Sequence, residues 1–243
     1  MVVMVLGANS DSAKAVARKF ASAEHADLYL ASRDMETLTI TATDLEIRYG
    51  VKAKTMRFDA ADWDSHHSFY ENLDPKPDGV VVAFGYLGAQ EKAQTNFGEA
   101  LRIMEINYLG AVSILEAIAS DFERRGHGFV IAFSSVAGER GRQSNYIYGS
   151  AKGAFTVYLS GLRNRLSRRG VHVMTVLPGF IRSRMTEGMD LPERLTATPE
   201  EVAEDVYRGY RRKRDIVYTK WFWRWIMVII KWIPEAVFKR LRL

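Results

Sequence analysis

The regular alternation of short apolar runs with longer helical patterns constrains the fold of this 243-residue sequence more than any other feature. The apolar runs are almost continuously hydrophobic, which is typical of strands buried on both faces of a parallel sheet. Six such strands are predicted, at Val2–Leu6, Ala26–Ala31, Lys52–Phe58, Gly79–Phe84, Gly128–Ser134 and Val171–Leu177.

Helical patterns separate these strands and predict a Rossmann-like, doubly wound α/β fold. They cover Ser12–Ala23, Met35–Tyr49, Asp62–Asn72, Asn96–Arg125 and Tyr148–Arg169. A further helix is predicted over Pro199–Lys213 with Thr198 as its N-cap, and Asp215–Tyr218 would add an edge strand, giving a sheet of about seven strands. The length fits one domain, residues 1–218, followed by a distinct tail, residues 219–243.

Composition excludes several classes of site. The sequence has no cysteine, so disulfides and cysteine-based metal sites or nucleophiles are excluded, and its five scattered histidines predict no metal site. The apolar start, Met1–Leu6, lacks a preceding basic region and indicates a strand rather than a signal peptide, so we expect a cytoplasmic protein. The net charge of +5 divides into +8 over residues 211–243 and −3 over the first 210 residues. That division argues against nucleic-acid binding and directs attention to the tail.

The turn after the first strand resembles a phosphate-binding turn that has lost glycines. Gly7 remains, but Asp11 and Ala13 occupy positions where such turns hold glycine. A carboxylate is unfavourable beside a pyrophosphate unless it points away or caps the helix. We nevertheless predict that a dinucleotide pyrophosphate binds at this helix N-terminus, with a purely structural turn as the alternative. The remaining hydrogen-bonding side chains are those of Asn9, Ser10 and Ser12.

Residues after the second and third strands indicate which dinucleotide would bind. Arg33 follows the second strand, where a basic residue accommodates a ribose 2′-phosphate, and Ser32 is a second donor. Asp59, after the third strand, is a candidate partner of the adenine amino group. We therefore predict NADP(H), with NAD(H) as the alternative cofactor.

Tyr148 and Lys152 lie four positions apart in a helical pattern, so both side chains are expected on one helix face. A nearby ammonium stabilises a phenolate, which predicts a tyrosine pKa lowered from about 10 towards the range useful for acid–base catalysis. The spacing alone arises by chance, and its context gives it weight. Ser135 ends the fifth strand, and Asn107 is a polar residue in the preceding long helix, where the alternative role is a helix–helix hydrogen bond.

Together these features resemble the short-chain dehydrogenases/reductases over nearly the whole chain. The resemblance implies that Tyr148 donates a proton to a carbonyl whose oxygen Ser135 hydrogen-bonds. It implies that Lys152 holds the nicotinamide ribose and tunes Tyr148, and that Asn107 positions a water in the proton relay. Residues that match in order and spacing are Gly7, Asn107, Ser135, Tyr148, Lys152, Pro178 and Gly179.

The loops after the fourth and sixth strands are implied cofactor contacts. In the fourth-strand loop, Val82–Gly85 replaces the family's usual Asn-Asn-Ala-Gly, so the contacts of those asparagines are absent. The sixth-strand loop is expected to close over the nicotinamide. The residues concerned are Ala83, Gly85, Pro178, Gly179, Ile181 and Ser183.

A closer likeness concerns the substrate. Strings including Phe84–Gly88, Ala137–Arg140 and Arg182–Met185 look like the bacterial decaprenylphosphoryl 2-keto-ribose reductases. That likeness implies a keto-sugar on a polyprenyl phosphate in cell-wall precursor synthesis, and a flavin-dependent partner oxidase. The alternatives are a reductase of another hydrophobic carbonyl, such as a 3-keto lipid, and a non-catalytic nucleotide-sensing protein.

The tail is rich in tryptophan and lysine or arginine. The apolar core of Lys220–Pro234 is too short to span a bilayer, and its tryptophans with flanking cations are typical of an interfacial helix. A second short stretch, Glu235–Leu243, adds basic residues. We predict attachment to the inner face of the membrane, with burial in the interface of a homo-oligomer as the alternative or addition.

Overall fold

A computed structural model describes residues 1–241. Its main sheet has seven parallel strands in the order β3-β2-β1-β4-β5-β6-β9. Two short strands, β7 and β8, form a separate parallel pair. The strand bounds are β1 Val2–Leu6, β2 Asp27–Ser32, β3 Ala53–Arg57, β4 Gly79–Val82, β5 Gly128–Phe133, β6 Val171–Pro178, β7 Phe180–Ile181, β8 Thr196–Ala197 and β9 Ile216–Thr219.

Helices cover both faces of this sheet. One hydrophobic core joins α1, α2 and α8 to the sheet, and a second joins α3, α6 and α7 to the opposite face. The helix bounds are α1 Asp11–Glu24, α2 Met35–Tyr49, α3 Trp63–Glu71, α4 Gln90–Thr95, α5 Phe97–Met104, α6 Gly110–Arg125, α7 Tyr146–Ser167, α8 Pro199–Arg211, α9 Trp223–Trp232 and α10 Glu235–Phe238.

The predicted Rossmann-like fold is confirmed. Burial of the central strands explains their continuous apolar runs, since Val3–Leu6 and Val80–Val82 are almost completely inaccessible to solvent. The added edge strand is β9, which pairs with β6. Thr198 caps α8 in a capping box with Glu201, as its sequence position predicts.

The long helix predicted over Asn96–Arg125 is interrupted. Asn96 caps α5 by accepting a hydrogen bond from Gly98 N at 2.9 Å, and a π-helical turn over Glu105–Leu109 separates α5 from α6. Such a turn adds a residue without breaking the apolar pattern, so periodicity does not reveal it. The run Phe97–Arg125 is long and apolar enough to cross a membrane by composition, but half of its most apolar window is buried within the protein.

The tail forms α9 and α10, and α9 packs one side against the body. Trp223 and Met227 are buried there, while the opposite side is exposed. We call that exposed side the tail apolar face; it consists of Trp221, Trp225, Ile229 and Trp232. The predicted tail also includes Arg242 and Leu243, which lie outside the described residues.

Candidate active site

The predicted phosphate turn lies where the strand order reverses, between β1 and β4. Gly7 has φ +80°, and a Cβ there would lie 2.5 Å from Phe84 N. Glycine is therefore required both by the backbone angle and by the close approach of the loop after β4. The carboxyl ends of β1 and β4 flank the crevice in which doubly wound folds bind their ligands.

Two of the predicted donors hold this turn together. Ser10 is the N-cap of α1, accepting from Ala13 N, and its hydroxyl donates to Ala83 O at 3.3 Å. Asn9 donates from Nδ2 to Asp34 O at 2.8 Å. The buried Oδ1 of Asn9 finds no hydrogen-bond partner within residues 1–241. Ser12 is buried in the first turn of α1.

Asp11 does not cap α1, because Ser10 holds that position. Its carboxylate instead accepts a hydrogen bond from Arg184 N at 2.9 Å and lies 3.7 Å from the Arg184 Nε. The Arg184 guanidinium also donates to Asn9 O. A cation 173 positions further along the chain thus pairs with the carboxylate that the sequence places at the phosphate turn.

The residues predicted to select the cofactor lie at the carboxyl ends of β2 and β3. Ser32 is the last residue of β2, and Arg33 follows it with its side chain exposed. Asp59 is partly buried, and its carboxylate accepts a hydrogen bond from Ala61 N at 3.1 Å. Arg33 is therefore accessible to a phosphate group next to the turn.

Asn107 lies in the π-helical turn and is 1% exposed. Its Nδ2 donates to Tyr86 O at 2.6 Å and to Ile103 O at 2.9 Å, and its Oδ1 accepts from Tyr86 N at 3.2 Å. The side chain therefore fixes the loop after β4 rather than joining two helices. A Cβ on Gly85 would lie 3.0 Å from Asn107 Oδ1 and 3.7 Å from Lys152 Nζ, so both groups converge on that glycine.

Two adjacent serines after β5 differ in their roles. Ser134 is buried and donates to Lys152 O at 2.9 Å, which fixes β5 to α7. Ser135 begins the short 3₁₀ turn Val136–Gly138 and interacts with Tyr148. Only Ser135 is therefore placed to contact a group bound at the tyrosine.

The pKa of Tyr148 differs from the one that the sequence predicts. Burial raises its pKa to about 12, although a side-chain hydrogen bond with Ser135 opposes that rise. Lys152 Nζ lies 5.8 Å from the centre of the Tyr148 ring and donates to Phe133 O at 3.0 Å. The predicted lowering of the tyrosine pKa by the ammonium is wrong, because desolvation of the phenol dominates.

The burial and the unused hydrogen-bond donors of Lys152 indicate that a polar group binds beside it. The residue is 3% exposed, and burial lowers its pKa to about 8. Within residues 1–241 its ammonium forms no ion pair, and one backbone carbonyl accepts from it, so two of its three N–H donors remain available. Free donors on Lys152 and the free acceptor on Asn9 fit a ligand that carries ribose hydroxyls, as a dinucleotide does.

The loop after β6 connects the site to the tail. Pro178 ends β6, Gly179 packs against the indole of Trp223, and Ile181 pairs with Ala197 in the β7–β8 ladder. Ser183 begins the 3₁₀ turn that carries Arg184.

The segment after Ser135 also contacts the tail. Arg140 donates to the carbonyl oxygens of Ile230 and, at 2.7 Å, Ile233, which satisfies the carboxyl end of α9. Arg142 is partly buried and donates to the Met227 sulfur at 3.3 Å. The tail helix therefore packs against both loops that border Ser135 and Tyr148.

Sequence reasoning missed three residues of this region. Arg184 contacts Asp11 across 173 positions, and no local pattern identifies such a pair. Buried Glu99 accepts from the Tyr86 hydroxyl at 2.7 Å and so holds the loop after β4. Trp223 belongs to a tail interpreted only by its composition, which does not distinguish its buried tryptophan from its exposed ones.

Comparisons with known proteins agree with this geometry. A model of the short chain dehydrogenase family matches residues 1–193. An uncharacterised oxidoreductase of Mycobacterium tuberculosis is 35% identical over 242 residues, which cover 98% of this chain and 96% of that protein. An uncharacterised oxidoreductase of Streptomyces coelicolor is 32% identical over 244 residues, covering 98% and 95%.

A solved structure shows the same fold. The short-chain dehydrogenase from Sphingobium yanoikuyae in complex with NADPH superposes with a TM-score of 0.83 at 23% identity, covering 97% of both chains. The family match and the two relatives that span nearly the whole chain show the family of the protein. The chain belongs to the short-chain dehydrogenase family and is a nicotinamide-dinucleotide-dependent oxidoreductase.

Proposed function

We propose that this protein reduces a carbonyl to an alcohol with NADPH as the hydride donor. The observation that carries the proposal is the convergence of Ser135, Tyr148, Lys152 and Asn107 at one edge of the sheet. Exposed Arg33 beside the phosphate turn supports NADPH over NADH. The related dehydrogenase that superposes on this chain was solved with NADPH.

The protein's own residues would donate and relay the proton. The bound nicotinamide supplies the hydride. Because its pKa is near 12, Tyr148 is protonated at neutral pH and can donate its phenolic proton to the carbonyl oxygen, which Ser135 also hydrogen-bonds. Lys152 holds the ribose with its free donors. Asn107 fixes the loop after β4, and we place the relay water beside it.

We further propose that the carbonyl belongs to a keto-sugar on a polyprenyl phosphate. The tail supports this substrate class, because α9 packs against the two loops that border Tyr148 and exposes Trp225 and Trp232 on its other side. A helix of ten residues is about 15 Å long and does not span a bilayer, but its apolar face can enter the headgroup region. A lipid-linked substrate would then reach the site along the surface to which the protein binds.

The packing of the tail also supports a proposed location and a proposed assembly of the enzyme. The enzyme would be cytoplasmic and peripheral on the inner face of the membrane, with exposed cations of the tail, Arg224, Lys239 and Arg240, facing anionic lipid. We propose a homo-oligomer, and a flavin-dependent oxidase as the partner that supplies the ketone.

The experiment measures anaerobic NADPH oxidation by the full-length protein with membrane lipid extracts, followed by mass spectrometry of the lipids. We expect a polyprenyl-phosphate sugar to gain two mass units when wild-type protein is added and to remain unchanged with Tyr148→Phe. A mass gain on a 3-keto lipid instead would overturn the sugar assignment. Failure to bind either NADPH or NADH would overturn the enzyme assignment.

A further inference from the structure

The phosphate turn, residues 7–13, contains the carboxylate of Asp11 and no cationic residue. Asp11 is the first residue of α1, so its carboxylate lies at the helix end where a pyrophosphate would bind. Two like-charged groups at one helix end repel each other. A cation must therefore accompany the carboxylate if a dinucleotide is to bind there.

Arg184 is placed as that cation. Its main-chain N–H and its guanidinium both contact Asp11, and the guanidinium also donates to Asn9 O. A guanidinium has five N–H donors, and these contacts leave several of them free. The side chain is 62% exposed, so the free donors face solvent above the turn.

The loop itself fixes the position of Arg184. Thr186 donates from its hydroxyl to Ile181 O at 2.6 Å and accepts from Ser183 N at 3.1 Å, which closes the 3₁₀ turn. Asp11 and this loop together line a cavity of about 540 Å³, so there is room for a ligand beside the contact. Lys14, on the next turn of α1, has a lowered pKa, caused first by burial and then by the nearby charge of Arg184. Two cations in proximity favour an anionic ligand.

We propose that Arg184 binds the cofactor pyrophosphate and replaces the backbone contacts that the turn lost with its glycines. Asp11 would orient the guanidinium rather than oppose the cofactor. This inference rests on the proposed function for the dinucleotide, but not on the carbonyl substrate.

The test compares Arg184→Ala with Arg182→Ala. Arg182 belongs to the same loop and is 70% exposed, and its nearest acidic partner, Glu193, lies 3.9 Å away. Dissociation constants of NADPH and NADH are measured by titration calorimetry on the full-length protein. We expect Arg184→Ala to weaken both cofactors at least tenfold and Arg182→Ala to change either by less than twofold. Weakening confined to NADPH would overturn the pyrophosphate assignment, as would equal effects of the two variants.

A second pair of variants tests the role of Asp11. With Asp11→Gly the carboxylate is removed and a glycine is restored, so we expect Arg184→Ala to weaken binding less than threefold in that background. Arg184→Lys keeps the charge without the planar fork, and an intermediate loss is expected. Normal circular dichroism and an unchanged melting temperature show that each variant is folded. A tenfold loss that persists in the Asp11→Gly background would contradict the orienting role. Wild-type protein that binds neither cofactor would defeat the proposed function itself.

Discussion

Gly179 and Trp223 contact each other so closely that a Cβ on the glycine would lie 2.0 Å from the indole Nε1. Trp223 is 3% exposed, and its Nε1 donates to Leu195 O at 3.1 Å. The glycine that begins the loop after β6 is therefore also part of the surface on which the tail packs. Displacement of the tail must alter the border of the active site.

We expect Gly179→Ala to lower the free energy of unfolding by about 1–3 kcal/mol, since the added methyl group forces the indole or the loop to move. Urea denaturation measures the loss, and limited trypsin digestion after Arg224 and Lys231 reports release of the tail. Gly161→Ala is the matched control. Gly161 lies in α7 with no neighbouring atom within 4 Å of the added methyl group, so that variant should be stabilised by about 0.5–1 kcal/mol. Equal stability of the two variants would contradict the packing argument.

Tyr148→Phe should reduce turnover by about 10²- to 10⁴-fold, because it removes the proposed proton donor. NADPH affinity and melting temperature should stay near the wild-type values, since the ring itself is kept. Tyr146→Phe provides the control, because Tyr146 lies at the exposed start of the same helix and is 42% exposed. Steady-state kinetics with a soluble ketone measure both variants. Full turnover by Tyr148→Phe would remove Tyr148 from the mechanism.

The fold was predictable because each strand is buried on both faces and therefore carries a continuous apolar run. The ends of α2 and β1 agree with the sequence prediction residue for residue, and other ends differ by a few residues. Contacts across the chain were not predictable. The pairing of Asp11 with Arg184 depends on how two loops meet at one sheet edge, and the pKa of Tyr148 depends on burial that its spacing from Lys152 does not reveal.

Lys152 should make stability depend on pH in a characteristic window. Burial lowers its pKa to about 8 from 10.5. Below pH 8 the lysine is charged in both states, so the cost of burying its charge is fully present. Between about pH 8 and 10.5 the folded protein binds fewer protons than the unfolded chain, so this cost diminishes as pH rises.

Comparison with Lys152→Met isolates this effect, because all other titrating groups are shared. We expect the variant, measured without cofactor, to be more stable than wild type by about 1–3 kcal/mol at pH 7. By pH 10 the difference should shrink to a fraction of that value. Urea unfolding at pH 6, 7, 8, 9 and 10 gives the difference curve. A difference that is constant over this range would show that Lys152 is not desolvated in the folded protein.

We expect the tail apolar face to bind the membrane surface. Trp225 is 57% exposed and Trp232 is 82% exposed, so replacing both with serine removes little internal packing and the melting temperature should change by less than about 2 °C. If these indoles enter the headgroup region, binding to vesicles that contain anionic phosphatidylglycerol should fall at least tenfold. Sedimentation with vesicles measures the binding. Trp63→Ser serves as the control, because Trp63 is 41% exposed at the start of α3 and lies outside the tail. If the double variant binds vesicles like wild type but changes the oligomeric state in light scattering, the face is a subunit interface, and the membrane proposal is wrong.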